Sequence, residues 1–154
     1  MAVSGSFEWR ATRAWSLQFS AGGLFRAHLG DLTQGGGGTV GVAASYLVLD
    51  QAKWWPFVQL SGSLSFSAMQ TDYRALDVRA GVVAGYTILE RVTPYVAARA
   101  FGGPVFTLGT VGTDLYHYQF GVGLVVGLPK GFDLSAELVP LGEQRLTAAV
   151  GYSF

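Results

Sequence analysis

The sequence predicts an all-β fold in which antiparallel strands run up and down to form an eight-stranded barrel. Apolar and polar residues alternate along almost the whole chain, and a period of two is typical of a strand with two different faces. Glycine occupies 22 of the 154 positions and aromatic residues account for 14%, which suits a β-barrel. The longest apolar runs, 80–89 and 121–129, are about half of the 18 residues that a membrane-crossing helix needs.

The first four strands are each predicted from one apolar row. Strand one covers 15–25, where apolar residues occupy alternate positions, and strand two covers 40–48 after a polar, glycine-rich connection. Strand three, 58–67, has one glutamine and four serines on the opposite face, so its two faces differ sharply in polarity. Strand four alternates from 76 to 88.

The last four strands follow the same rule. Strand five covers 96–100 and ends in Phe-Gly-Gly-Pro, and strand six alternates from 116 to 128. A Pro-Lys-Gly turn opens strand seven, 132–138, and Leu-Gly-Glu-Gln leads into strand eight, which continues to 154. Glycine and proline at these connections are typical of turns.

The order of the connectors predicts a closed barrel with both of its ends on one side. They are long after strands one, three and five and short after strands two, four and six, and only the last hairpin departs from this alternation. We therefore assign the barrel to residues 15–154. Residues 1–14 are either an N-terminal tail or an extension of strand one, because Phe7, Trp9 and Ala11 share the parity of Trp15.

The two faces predict lipid as the solvent of the outer surface. Only 13% of the residues are charged, about half the usual share in a soluble domain, and the mean hydropathy is +0.35. An eight-stranded barrel has a narrow interior, so the bulky apolar rows must point outward and the chain is expected to be a transmembrane β-barrel. Aromatic girdles are then expected at the two interfaces. They consist of Trp15, Tyr46, Trp54, Trp55, Tyr86, Tyr116 and Tyr118.

The inward charges predict an ion-pair network in the lumen. Arg99 and Glu137 lie at a similar height, separated by a strand whose inward residues there are Gly121 and Gly123. Since buried charges must be paired, we interpret the network as a polar plug; a narrow ion path is the alternative. Its remaining members are Asp77, Arg79 and, near the outer end of strand eight, Arg145.

No catalytic or cofactor site is predicted. The chain has no cysteine and only two histidines, His28 and His117, which are far apart and make a poor metal site. His117 has no serine beside it that could act as a nucleophile. The glycine run 35–38 is not followed by Lys-Ser/Thr, so it is not a phosphate-binding loop. Ten basic and ten acidic residues balance, which gives no attraction for nucleic acid.

The last ten residues, R-L-T-A-A-V-G-Y-S-F, carry the most specific pattern. Leu146, Ala148, Val150, Tyr152 and Phe154 share one face, and this ending resembles the C-terminal assembly signal of bacterial outer-membrane β-barrels. The strand pattern from about residue 15 onward is similar to that of small OmpA/OmpX-type barrels. The resemblance implies that periplasmic chaperones and the barrel-assembly machinery bind the chain, and that its last strand closes against strand one.

The resemblance also implies a location in the bacterial outer membrane. The Met1-Ala2 start shows no basic segment followed by an apolar one, so we expect that Met1 stands where a signal sequence has been removed. The expected role is structural, or surface interaction through loops 28–38 and 103–114 with a partner that the sequence does not identify. A narrow channel for ions or small solutes and a lipid A-modifying enzyme are the alternatives.

Overall fold

A computed structural model describes residues 2–24, 27–29, 32–34, 36–70, 73–107, 110–113, 117–142 and 145–152. These residues form antiparallel β-strands joined by turns, with one short 3-10 turn at Pro129–Gly131. The strands are β1 (Ala2–Arg10), β2 (Trp15–Leu24), β3 (Ala27–Leu29), β4 (Leu32–Gln34), β5 (Gly37–Leu49), β6 (Phe57–Met69), β7 (Arg74–Gly85), β8 (Val92–Gly102), β9 (Pro104–Thr107), β10 (Thr110–Thr113), β11 (Tyr118–Gly127), β12 (Phe132–Leu141) and β13 (Arg145–Tyr152).

One curled sheet contains nearly all of these strands. Its neighbours follow the order β1-β2-β5-β6-β7-β8-β11-β12-β13, each pair antiparallel. The hairpin β9–β10 extends the sheet beside β7, and β3–β4 forms a separate small hairpin. The all-β, up-and-down architecture predicted from the alternating rows is therefore confirmed. Among the residues described, no helix has the length and apolar character needed to cross a bilayer.

The number of strands and the closure differ from the prediction. Residues 2–10 form a strand of their own, β1, which turns at 11–14 and pairs with β2 from Ala2–Leu24 to Arg10–Ser16. The main path through the sheet consequently has nine strands where eight were expected. Within the described ranges, β1 and β13 are the two edges of an open half-barrel. Among the described residues, β13 pairs with β12 and not with β2, whose outer edge pairs with β1.

The connections define two ends of the sheet. The turns 11–14, 50–56, 86–91 and 128–131 lie at one end, called here the turn end, and the opposite end is called the loop end. At the loop end, the connections 25–36 and 103–117 are long, as predicted, whereas β6 and β7 are joined by the short segment 70–73. Because β1 adds one strand, the N-terminal end of β1 lies at the loop end and the last residue of β13 at the turn end.

The two faces of the sheet have opposite polarity. On β6, Leu60, Leu64 and Phe66 are 43–46% exposed, whereas the serines between them are only partly exposed. The same apolar, exposed row continues on every strand of the main path, on the convex side of the curl. The serines of β6 and the charged residues Asp77, Arg79, Arg99 and Glu137 lie on the concave side. Among the described residues, the only buried hydrophobic side chains are Ala97, Phe101 and Val139.

The turn between β12 and β13 depends on a glycine. Gly142 has a φ of 89°, and a Cβ at this position would overlap the main-chain oxygen of Tyr118. We expect Gly142→Ala to lower the free energy of unfolding by about 1–3 kcal/mol, the usual cost of such strain, as measured by the urea midpoint. Gly62→Ala is the control, because the nearest atom to a Cβ there is 3.9 Å away. Equal midpoints for the two variants would contradict this account of the turn.

Candidate functional site

The candidate site lies on the concave face where β8, β11 and β12 run side by side. Arg99 on β8 pairs in register with Gln119 on β11, and Glu137 on β12 pairs with Gly123 on β11. The two charged residues therefore lie on strands that are not adjacent, because β11 runs between β8 and β12. Side chains on β8 and β12 can meet only where the strand between them carries no bulky inward side chain. β11 meets this condition because its inward residues there are Gly121 and Gly123.

The structure brings Arg99 and Glu137 together as a bidentate ion pair. The Arg99 Nη1 and Nη2 atoms donate to Glu137 Oε1 and Oε2, each at 2.7 Å. The Tyr95 hydroxyl donates a third hydrogen bond to Oε2 at 3.0 Å. The side chains of Arg99 and Glu137 are 19% and 12% exposed, so most of each charged group is removed from solvent. Two parallel hydrogen bonds fix a guanidinium and a carboxylate in one plane, which makes this cluster rigid.

The glycines of β11 are the structural condition for this cluster. A Cβ at Gly121 would touch the Glu137 carboxyl group at 3.4 Å, an ordinary contact. A Cβ at Gly123 would overlap the Tyr95 ring, with Cε1 at 2.6 Å. The Tyr95 ring therefore crosses β11 over Gly123 to reach Glu137. Sequence reasoning identified both glycines and both charges but missed Tyr95, whose inward parity on β8 was the available signal.

Asp77 and Arg79 form a second ion pair nearer the loop end. The Arg79 Nε atom donates to Asp77 Oδ2 at 2.6 Å, and Nη2 contacts the same oxygen. The guanidinium also lies 5.3 Å from the centroid of the Phe101 ring, a distance at which a cation is attracted to an aromatic face. Arg145, the remaining residue of the predicted network, is exposed on β13 and pairs in register with Val139.

Gln119 is a buried polar residue of this face that sequence reasoning also missed. It is 3% exposed, and neither its amide nitrogen nor its amide oxygen has a hydrogen-bond partner among the described residues. The Asp77 Oδ1 atom is buried and unpartnered in the same sense. Gln119 shares the inward parity of Gly121 and stands beside Arg99, which was the signal for including it. Buried amides without partners are uncommon and costly.

On β2, β5 and β6, the concave face carries hydroxyl and amide groups instead of charges. Ser16 and Ser45 share a hydrogen bond of 2.6 Å between their hydroxyls, and the Gln59 amide donates to Ser45 at 2.5 Å. Ser67 donates to Thr39 at 3.0 Å near the loop end. These bonds connect β2, β5 and β6 through their inward rows. Hydroxyl groups therefore satisfy one another on this half of the sheet.

The predicted aromatic girdle residues cluster mainly at the turn end. Trp15 and Tyr46 are adjacent, with ring centroids 4.9 Å apart, and Tyr86 donates from its hydroxyl to the main-chain oxygen of Lys53 at 3.0 Å. Trp54 and Trp55 are 81% and 66% exposed in the turn between β5 and β6.

The loop end has fewer described aromatic residues of the predicted girdle. Tyr118 lies there and is 77% exposed, whereas Tyr116 lies outside the described residues. At the turn end, by contrast, Trp9 on β1 is a further aromatic residue that was not predicted as part of a girdle. It is 54% exposed and shares the outward parity of Trp15.

The C-terminal row is solvent-accessible where the structure describes it. Leu146 and Val150 are 76% and 72% exposed, and Ala148 lies between them on the same face of β13. The backbone of Tyr152 completes the strand, whereas its side chain and the whole of Phe154 lie outside the described residues.

The potential metal ligands of the described residues do not form a cluster. Groups of three or more His, Asp or Glu residues suited to a metal ion are absent from them. His117 contributes its main-chain oxygen, which accepts a hydrogen bond of 2.8 Å from Phe101. The side chain of His28 lies outside the described residues. In the described residues, the arrangement of the concave face supports ion pairing and packing.

Comparisons of the chain with protein families, with curated proteins and with solved structures found no match.

The geometry predicts strong coupling between Arg99 and Glu137. We expect Glu137→Gln and Arg99→Met each to lower the free energy of unfolding by about 3 kcal/mol, because each leaves a partly buried charge unpaired. The double variant should regain part of this loss, with a coupling on the order of 1–3 kcal/mol in a urea-unfolding cycle. Ser67→Ala, on the distant β6, should add independently to Arg99→Met. Additive effects of Glu137→Gln and Arg99→Met would show that the pair contributes no coupling.

The crossing of Tyr95 over β11 predicts a specific rescue. Gly123→Ala should lower the free energy of unfolding by about 1–3 kcal/mol, because the added methyl group displaces the Tyr95 ring. The same substitution should cost nearly nothing in a Tyr95→Ser background, where the ring is absent. Gly121→Ala, whose Cβ has an ordinary contact, is the matched control. A loss at Gly123 that persists without the Tyr95 ring would disprove the steric explanation.

Proposed function

We propose that this chain is a membrane-embedded β-barrel wall whose convex apolar face contacts lipid, with a structural or surface-interaction role in a bacterial outer membrane. The observation that carries the proposal is the inverted polarity of the sheet. Bulky side chains such as Leu64, Val122 and Leu134 are about 40–45% exposed on one continuous face, while the concave face holds ion pairs and hydroxyls. Water is a poor solvent for such a surface, and lipid is a good one.

The energetic argument follows from the size of the apolar face. Removing a Val, Leu or Phe side chain from water contributes about 1.5–3 kcal/mol when burial is complete. The exposed rows continue on every strand of the main path, so their transfer into hydrocarbon contributes more than the usual margin of stability of a domain, even though each side chain is only partly exposed. Soluble monomers rarely expose apolar patches of this extent. Lipid contact therefore accounts for a surface that would aggregate in water.

Strand length supports the same environment. Strands β5 and β6 have 13 residues each, β7 has 12 and β8 has 11. A tilted transmembrane strand needs about 9–11 residues to cross the hydrocarbon core, so these strands are long enough. The aromatic residues at the turn end then lie at an interface, where tyrosine and tryptophan rings are enriched.

The concave face favours a plug over a catalytic or transport role. The bidentate Arg99–Glu137 pair and Tyr95 fill the space above Gly121 and Gly123, and closure of the sheet would place this cluster inside a narrow lumen. The C-terminal row Leu146, Ala148 and Val150 supports, by its resemblance to an assembly signal, recognition by the barrel-assembly machinery. No described feature favours the lipid A-modifying enzyme or the open channel over this role.

Oxygen accessibility along β6 tests the proposal, since the chain has no native cysteine. Residues 60–65 are replaced by cysteine one at a time, labelled with a nitroxide, and refolded into phosphatidylcholine vesicles. We expect collision with O₂, which concentrates in hydrocarbon, to be high at Leu60, Gly62 and Leu64. Collision should be several-fold lower at Ser61, Ser63 and Ser65, the matched controls on the concave face.

Collision of the same nitroxides with a water-soluble nickel chelate measures their exposure to water. The Leu60, Gly62 and Leu64 positions should be shielded from it by lipid. If both rows meet the chelate equally, or if O₂ collision shows no period of two, the convex face does not contact hydrocarbon and the proposal fails.

A further inference from the structure

The direction of the strands constrains how the sheet could close. Nine antiparallel strands follow one another along the main path, so β1 and β13, the first and the ninth, run in the same direction. Closure between these two edges would join them as a parallel pair. β2 and β13, in contrast, run in opposite directions, so β13 could continue the antiparallel ladder on the β2 edge that β1 now occupies.

Lipid makes an open edge expensive. Each edge strand presents unpaired N–H and C=O groups, and each such group costs several kcal/mol in hydrocarbon, which is why membrane-spanning sheets close. A half-barrel with open edges at β1 and β13 is therefore unstable inside a bilayer unless these edges find partners. Of the two closures within one chain, the antiparallel ladder is slightly more stable per residue than the parallel one.

β1 is attached to the sheet along one edge only, through its nine register pairs with β2. Every side chain from Val3 to Arg10 is exposed, and among the described residues no side chain of β1 forms a hydrogen bond or an ion pair. Its connection to the sheet consists of the backbone ladder with β2, in which Phe7 lies opposite Phe19. β2, in contrast, is tied to β5 through the hydroxyls of Ser16 and Ser45.

The turn 11–14 would allow β1 to leave without disturbing β2. The main-chain oxygen of Ala14 accepts a hydrogen bond of 2.8 Å from Leu47 on β5. The Thr12 hydroxyl accepts hydrogen bonds from the backbone N–H groups of Ala14 and Trp15 at 3.2 and 3.0 Å. The start of β2 is therefore anchored independently of β1. Arg10 and Arg13 are exposed beside this turn, so a released β1 would enter water at the turn end.

β13 has the pattern needed to replace β1. Its inward row is Arg145, Thr147, Ala149 and Gly151, small at the last two positions, and its outward row begins with Leu146 and Ala148. Placed beside β2, the outward row would continue the apolar face of Leu17 and Phe19, and the small inward residues would suit a narrow lumen. β1 would instead contribute the inward charges Glu8 and Arg10.

We propose that β1 and β13 are alternative partners of the β2 edge, and that on insertion into lipid β13 displaces β1 and closes an eight-stranded barrel from β2 to β13. The released residues 2–10 lie in water at the turn end, where their backbone groups are hydrated. This inference rests on the proposed membrane function and adds the strand exchange that antiparallel closure of the nine-stranded sheet requires.

Disulfide crosslinking in the cysteine-free, full-length chain tests the exchange in phosphatidylcholine vesicles. Ser6→Cys with Ser20→Cys reports β1 on the β2 edge, because these residues pair in register. Ser20→Cys combined in turn with Thr147→Cys, Ala149→Cys or Gly151→Cys reports β13 on that edge. Thr39→Cys with Ser67→Cys, a register pair of β5 and β6, is the positive control, and Ser20→Cys with the outward Ala148→Cys is the negative control.

The expected result is an intramolecular crosslink between Ser20→Cys and at least one inward β13 position, with a yield close to that of the positive control. The yield of Ser6→Cys with Ser20→Cys should fall at least five-fold below it. A Ser6–Ser20 crosslink that stays as efficient as the control would overturn the exchange. So would crosslinks of Ser6→Cys to the inward β13 positions, which indicate parallel closure, or a β2–β13 crosslink that joins two chains.

These outcomes are separable from failure of the membrane proposal. The O₂ collision pattern along β6 reports whether the convex face contacts lipid, irrespective of which strand pairs with β2. Retention of that pattern together with an intact Ser6–Ser20 crosslink would reject the exchange alone.

Discussion

Curvature is the constraint on which the rest of this structure depends. When a sheet curls, side chains on its concave face converge and those on its convex face diverge. Arg99 and Glu137 can meet across β11 because Gly121 and Gly123 leave the concave face empty there, while Phe120, Val122 and Leu124 on the other face of the same strand spread apart and stay exposed. Small and charged residues inside and bulky residues outside are thus two consequences of one bend.

The sequence was sufficient to predict the apolar and polar rows of the strands, but not the turn 11–14 that separates β1 from β2. Parity assigns residues to faces because side chains alternate along a strand, and so the facing charges Arg99 and Glu137 and the glycines between them could be identified in advance. Trp9 and Trp15, however, are six positions apart, an even spacing. An even spacing keeps the same parity whether the chain runs straight on or turns back, so the pattern could not distinguish an extension of strand one from the separate strand β1.

Contacts within the concave face were only partly predictable for a related reason. Parity placed Tyr95 and Gln119 on that face without indicating how far their side chains reach. Tyr95 extends over Gly123 to Glu137 because the ring is long and β11 offers no side chain in its path, whereas Gln119 is buried without a partner. Such outcomes depend on strand twist and on side-chain length across three neighbouring strands, which alternation does not encode.

The concave face is divided into two chemically different halves, and this division bears on the proposed closure. Hydroxyls on β2, β5 and β6 bond to one another, and the charges on β7, β8 and β12 are paired within their own half. Both ion pairs form without any residue of the other half, although Gln119 and the Asp77 Oδ1 atom have no hydrogen-bond partner among the described residues. The proposed closure therefore requires no new ion pair across the lumen, and we expect its free energy to come mainly from the backbone ladder at the β2 edge. In this proposal, the strand that pairs with this edge, rather than a contact across the lumen, determines how the barrel closes.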